Sequence, residues 1–222
     1  MKIILFGATG MIGQGVLLEA QDDPRVTQVL LVTRRATDKP HPKVKELIVS
    51  DFLDYSAVES QLVGYDACLF CLGVSAAGLN EVAYRKITVD ITLAAAKTLA
   101  RISPNLTFIY VSGAGTDSSE KGRAMWARVK GEVENTLLKM PFKSVVMFRP
   151  GYIQPMKGIR SSTRLYRVVY AIVGPLYPLI RRLGAGVATN TTAVGKAMLR
   201  VAENGSTKPI LDNRDINQLA GS

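Results

Sequence analysis

Histidine and cysteine are nearly missing from this 222-residue chain: His41 is the sole histidine, and Cys68 and Cys71 are the sole cysteines. A structural zinc site needs about four such ligands and a disulfide-stapled scaffold needs several pairs, so neither organises the fold. A nucleophile-histidine triad would have to use His41, which lies between Pro40 and Pro42 and reads as a loop residue. Cys68 and Cys71 sit three apart in an apolar run, where strand geometry points them to opposite faces, so they read as buried structural thiols. Long apolar runs are also lacking. The first, residues 3–6, stops at Gly7, too soon for the core of a secretory signal, and predicts an intracellular, cytoplasmic protein.

Acidic residues are absent from 135 to 202, where 11 basic ones stand, so this third of the chain carries the whole formal excess of +10. Within it, residues 168–180 (VVYAIVGPLYPLI) are uncharged, contain Pro175 and Pro178, and have arginines on both sides. That stretch is too short for a bilayer span of about 20 helical residues. It could pack as two short helices over a pocket, or, with residues 157–183 as a basic rim, rest peripherally on an acidic membrane surface. No stacking platform or recognition-helix pattern accompanies the charge, which argues against specific nucleic-acid binding.

With 47% hydrophobic and 21% charged residues, the chain has the balance of one globular domain over 1–222. Apolar, β-branched runs at 3–6, 26–32, 47–49, 67–72, 106–111 and 145–148 read as strands covered on both faces. Helical spacing fills the intervals at 11–20, 82–102 and 124–138, the last with Val129, Val133 and Leu137 on one face and Glu132 and Glu134 among its charged residues. This alternation predicts an α/β, Rossmann-like, doubly wound parallel sheet with helices on both faces. Residues 151–190 are expected to form a small C-terminal substrate or lid region, with the lid itself at 161–183.

Between the first strand and first helix lies Gly7-Ala8-Thr9-Gly10-Met11-Ile12-Gly13. Gly7 permits a tight turn, Gly10 lets backbone approach a pyrophosphate, and Gly13 lets helix and strand pack closely, with phosphate at the positive helix end. After the second strand come Thr33, Arg34 and Arg35, with no acid between Asp23 and Asp38. A ribose 2′-hydroxyl is usually met by an acid and a 2′-phosphate by arginine, so NADP(H) is favoured over NAD(H).

In order along the chain, GATGMIG, VTRRA, SDFLD, FCLG, YVSGAG, VKGEVE and FRPGYI resemble the atypical short-chain dehydrogenases/reductases, including the epimerase-like and NmrA-like NAD(P)-binding proteins. The resemblance covers most of the chain. It implies that Asp51, followed by Phe52, meets the adenine amino group and that Leu72 and Gly73 lie beside the nicotinamide-side ribose. Asp51 also reads as a helix cap before residues 52–57. Pro150, Gly151 and Ile153 are implied to pass the nicotinamide.

The resemblance further implies a serine, a tyrosine and a lysine at the reacting centre, the last two four apart on one helix. Ser112 and Lys130 match the serine and the lysine, and Lys130 is implied to hold the cofactor ribose. At the tyrosine position stands Trp126. An indole N–H only donates and does not titrate near neutrality, so Trp126 cannot be a general acid or base, although it can cover the nicotinamide. Tyr84, Tyr110 and Tyr152 are substitutes, of which Tyr152 is best placed by the resemblance. The expected function is an oxidoreductase acting on a small, anionic-compatible acceptor such as a flavin, quinone or carbonyl. A non-catalytic dinucleotide sensor and a membrane-surface protein are the alternatives.

Overall fold

The computed structural model describes residues 1–37, 40–159, 174, 177, 184 and 186–221. Seven parallel strands form the central sheet: β1 (Lys2–Phe6), β2 (Gln28–Thr33), β3 (Val44–Ile48), β4 (Ala67–Phe70), β5 (Thr107–Val111), β6 (Ser144–Phe148) and β9 (Ile210–Leu211). Their spatial order is β3-β2-β1-β4-β5-β6-β9. The order reverses between β1 and β4, both hydrogen-bonded neighbours at the sheet's centre, as the doubly wound expectation requires. Two short strands, β7 (Tyr152–Gln154) and β8 (Ala188–Asn190), pair separately.

Alternate residues of each central strand enter different cores, which is why the strand sequences are continuously apolar. Ile3, Leu5, Leu31, Leu69, Ile109 and Phe148 face α1 (Met11–Asp22), α5 (Thr191–Asn204) and α6 (Asn213–Ala220). Ile4, Phe6, Cys68, Phe70, Phe108 and Tyr110 face α3 (Ile91–Ile102) and α4 (Met125–Leu137). On this second face Phe6, Phe70 and Phe108 stack in series, with centroids 4.9 and 6.0 Å apart. Cys71 belongs to the first face and Cys68 to the second, so the two thiols are separated by the sheet.

The first face closes by direct helix contact. A Cβ on Gly15 of α1 would lie 2.7 Å from Thr191 Cβ, and one on Gly195 of α5 would lie 2.7 Å from Glu19 Cγ. Only glycines at these two positions let the helices approach so closely.

Several expected bounds shift for local reasons. β3 is an edge strand whose Lys45 and Glu46 face solvent, so its full length was masked by charge. The helix expected over 82–102 is three pieces: α2 (Glu81–Arg85), a π turn (Lys86–Asp90) and α3. α2 starts at Asn80, whose side chain accepts the Ala83 N–H. Glu134, expected among charged helix residues, is instead fully buried and paired with Arg149. β7 to β9, α5 and α6 were not foreseen. The lid at 161–183 and the apolar stretch at 168–180 lie outside the described residues apart from Gly174 and Tyr177. Among the described residues no helix is long and apolar enough to cross a membrane.

Candidate functional site

The turn after β1 is shaped by close approach. Gly7 has φ +78°, and a Cβ on it would lie 2.6 Å from the Leu72 amide nitrogen, where the ends of β1 and β4 meet. A Cβ on Gly13 would lie 2.1 Å from the Gly7 carbonyl oxygen. Gly10 differs: a Cβ there would meet only the Gly7 oxygen, at 3.3 Å, so its outer side is open. The first helical bond of α1 runs from Gln14 N–H to Gly10 O at 2.8 Å. The amides of Met11, Ile12 and Gly13 precede it, the positions that helix geometry leaves without an intrahelical acceptor. No side chain caps this end, and its first turn holds no acid. Thr9 offers its carbonyl to Gln14 Nε2 at 2.9 Å, which keeps the turn closed. Backbone donors, an open glycine and no competing carboxylate fit a pyrophosphate.

On one side of this turn lie the ends of β2 and β3. Arg34 and Arg35 are exposed just past Thr33, whose hydroxyl donates to the Arg35 carbonyl at 2.9 Å. Neither arginine has an ion-pair partner among the described residues. Val49 N–H donates to Thr33 O at 2.9 Å, which brings the chain after β3 to the same edge. There Asp51 accepts the Leu53 N–H at 2.9 Å and closes a turn; the helix expected over 52–57 is absent, and a 3₁₀ helix covers Ser56–Leu62 instead. The Phe52 ring lies edge-on to Phe6 with centroids 6.2 Å apart, so that ring belongs to the core.

On the other side lie the ends of β4, β5 and β6. Leu72 and Gly73 follow β4, and a Cβ on Gly73 would meet nothing. Ser112 is buried at the end of β5; its N–H and its hydroxyl both donate to the Phe148 carbonyl, at 2.9 and 3.2 Å. Ala114 N–H continues the pairing to Pro150 O at 2.9 Å. Gly151 N–H donates to Asn213 Oδ1 at 3.0 Å, which ties this edge to α6, and Ile153 packs into the first core. Tyr152 is half-buried, with its hydroxyl donating to Gln154 Oε1 at 2.7 Å and its pKa raised by burial. Tyr84 and Tyr110 are core residues; burial pushes the Tyr110 phenol far above its ordinary range.

Lys130 reaches this edge because α4 presses on the loop after β5. A Cβ on Gly131 would lie 1.8 Å from the Asp117 carbonyl oxygen, a contact that only glycine permits. Lys130 Nζ donates to the Ser112 carbonyl. Burial draws its pKa down from 10.5 to about 8, against the pull of Glu134 one turn along. Trp126, one turn earlier, packs over Gly115, where a Cβ would stand 3.4 Å from Trp126 Cη2. Apart from Tyr84, Tyr110 and the Phe52 ring, which lie in the core, the expected residues gather at the carboxyl ends of the strands, in two halves flanking the glycine turn. Sequence reading missed Asn213 and Gln154, which fasten and line the second half. The capping box of Asp212 and Asp215 that starts α6 was the available signal for the former.

Residues 7–139 match the model of a family described as NAD(P)H-binding. The chain is similar to "Protein FMP52, mitochondrial" of Saccharomyces cerevisiae, 28% identical over 235 aligned residues covering 96% of each chain. The protein of the same name from Emericella nidulans is 29% identical over 204 residues, 88% of this chain and 84% of that one. The Candida albicans protein of that name is matched over 66% of its length, so the chain spans just under two thirds of it. In fold, the chain resembles a short-chain dehydrogenase/reductase of Saccharomyces cerevisiae, with TM-score 0.69, 13% identity and coverage of 99% of this chain and 98% of that one. A UDP-glucose 4-epimerase gives TM-score 0.71 at 14% identity, covering 98% of this chain and 80% of that one. The expected cytoplasmic location is overturned by these relatives, which are mitochondrial by name. The short first apolar run argued only against a secretory signal and never separated cytosol from mitochondrion.

Proposed function

Because the chain belongs to the NAD(P)H-binding family, we propose that it is a dinucleotide-dependent oxidoreductase acting on a small acceptor. The carrying observation is that Lys130, half-buried and drawn down to about 8, is fastened to the Ser112 carbonyl beside the ends of β4 and β6. A lysine brought out of water at a strand end carries an energetic penalty, and that penalty is expected where function needs it. When bound, the nicotinamide group supplies a hydride to the acceptor, or removes one from it.

The glycine turn and the amides of Met11, Ile12 and Gly13 hold the pyrophosphate. Arg34 and Arg35 grip a 2′-phosphate, which supports NADP(H) over NAD(H). Lys130 holds the ribose on the reacting side, Ser112 orients the acceptor, and Trp126 shields the turn over Gly115 from water. The relatives' names support a mitochondrial location. An anionic acceptor rests on the basic C-terminal third, and contact with a membrane surface on residues 157–183, most of which lie outside the described residues.

Trp126 at the expected tyrosine position favours one second reading, a dinucleotide sensor without turnover. Fluorescence titration with NADPH and NADH, followed by quinones, flavins and carbonyls watched for loss of reduced-cofactor absorbance, separates the two. NADPH binding with oxidation supports the reductase. Binding without oxidation across the panel supports the sensor, and no binding of either dinucleotide refutes both.

A further inference from the structure

Reduction of a carbonyl leaves negative charge on oxygen, and the site must supply a proton to it. Trp126 cannot. The Ser112 hydroxyl donates to the Phe148 carbonyl, the Tyr152 hydroxyl donates to Gln154, and Tyr110 is sealed inside the sheet. The carboxylates around α4 are engaged as well. Glu134 is paired with Arg149, Glu132 with Arg85 and Glu81 with Arg128, while Asp117 accepts from Ser119 and the Gly122 amide.

We propose that Lys130 itself delivers the proton to the acceptor oxygen, held at the strand end by the Ser112 carbonyl. The inference rests on the oxidoreductase reading above. An ammonium group has three N–H donors, and the contact with Ser112 uses one of them. As a hydride from the reduced nicotinamide adds to the carbonyl carbon, the C=O π pair moves onto oxygen. That oxygen takes a proton from Lys130 Nζ, the N–H bonding pair stays on nitrogen, and the resulting amine is reprotonated from water. Desolvation opposed by the Glu134 charge leaves both the ammonium and the amine accessible near neutral pH. Arg149 faces Glu134 and limits how far that carboxylate can restore the lysine. Within α4 and α2 the pairs Arg85–Glu132 and Arg128–Glu81 are internally neutral.

Two measurements test this. In the cofactor-free protein, acetylation of Lys130 by acetic anhydride is followed against pH by mass spectrometry. Half-maximal reactivity near pH 8 is expected; a lysine that reacts only near its ordinary 10.5 overturns the inference. In the holoenzyme, reduction of 9,10-phenanthrenequinone and a panel of aromatic aldehydes by NADPH is followed against pH. Wild-type kcat should fall above about pH 8 as the ammonium form is lost. Lys130→Arg keeps the charge and the reach to Ser112 but does not titrate; it should lose at least about 100-fold in kcat, more than any loss in NADPH affinity. Lys130→Ala should regain about tenfold with added methylamine, a response that a purely structural lysine would not give. Lys130→Arg turnover within about threefold of wild type would overturn the inference and leave the oxidoreductase standing. Wild-type protein that binds NADPH but oxidises it with no acceptor would overturn the oxidoreductase reading, and the proton donor with it.

Discussion

Replacing Gly10 and Gly13 separately by alanine should divide binding from folding within one short turn. At Gly13 the added carbon would stand 2.1 Å from the Gly7 oxygen and 2.7 Å from the Gly7 carbonyl carbon. Ordinary contact begins roughly 1 Å farther out, and both partners are backbone, so the helix or the turn must move as a unit; overpacking of this kind costs about 3 kcal/mol or more. At Gly10 the backbone has φ −75° and ψ 163°, which alanine adopts freely, and the nearest atom is 3.3 Å away. Alanine is a poorer N-cap than glycine but restricts the unfolded chain more, and these opposing effects leave stability within about 1 kcal/mol of wild type. The methyl group would, however, stand on the open side of the turn, where the pyrophosphate is proposed to lie. Gly10→Ala should therefore weaken NADPH by at least about tenfold, or 1.4 kcal/mol. Urea denaturation gives the stabilities, and fluorescence titration gives the affinities. Wild-type affinity in Gly10→Ala would refute the phosphate path, and wild-type stability in Gly13→Ala would refute the close approach.

Three further outcomes follow from the same geometry. Arg34→Ala combined with Arg35→Ala should raise the Kd for NADPH at least about tenfold and that for NADH less than about twofold; equal weakening in parallel titrations would remove the 2′-phosphate contact. Glu134→Gln leaves Arg149 facing a neutral amide where Glu134 is 0% exposed, and should cost about 3 kcal/mol in urea unfolding, so a loss below about 1 kcal/mol would mean that the pair is dispensable. Lys130 is neutral in the native state above about pH 8 but keeps its proton to 10.5 when unfolded, so the unfolded state binds more protons in that window and this group's contribution to stability rises with pH. Relative to Lys130→Met, wild type should gain about 1–2 kcal/mol between neutral pH and pH 10, discounted for partial exposure; a flat difference in denaturation curves would contradict the burial of the ammonium.

The sheet could be read from the chain because buried parallel strands write themselves as uninterrupted apolar runs, and residues 3–6 and 67–70 do so plainly. β3 was harder, since an edge strand bearing Lys45 and Glu46 looks like a loop in composition. The glycine turn was legible to the individual residue because each glycine answers a different steric demand. The Glu134–Arg149 pair was not: charge in a helical repeat suggests solvent, and only the fold, which brings Arg149 to this carboxylate, shows that it is inside. Local spacing also placed Lys130 and Trp126 one turn apart, but the fastening of Lys130 to Ser112 depends on Gly131 meeting the loop at Asp117, a contact between separated segments. The second half of the site includes Asn213 and Gln154, and neither stands in a motif.

The glycine-mediated seam between α1 and α5 also orders events in time. The first helix meets, at Gly15, a helix that begins at Thr191, so this seam cannot close until most of the chain exists. Until then the side of the first helix around Gly15 stays open, and a long loop must close before its burial contributes. A seam joining such distant segments slows folding. It also makes the carboxyl-terminal helices a condition for a stable amino-terminal half, so a fragment ending before Thr191 should expose the part of this sheet face that α5 and α6 cover.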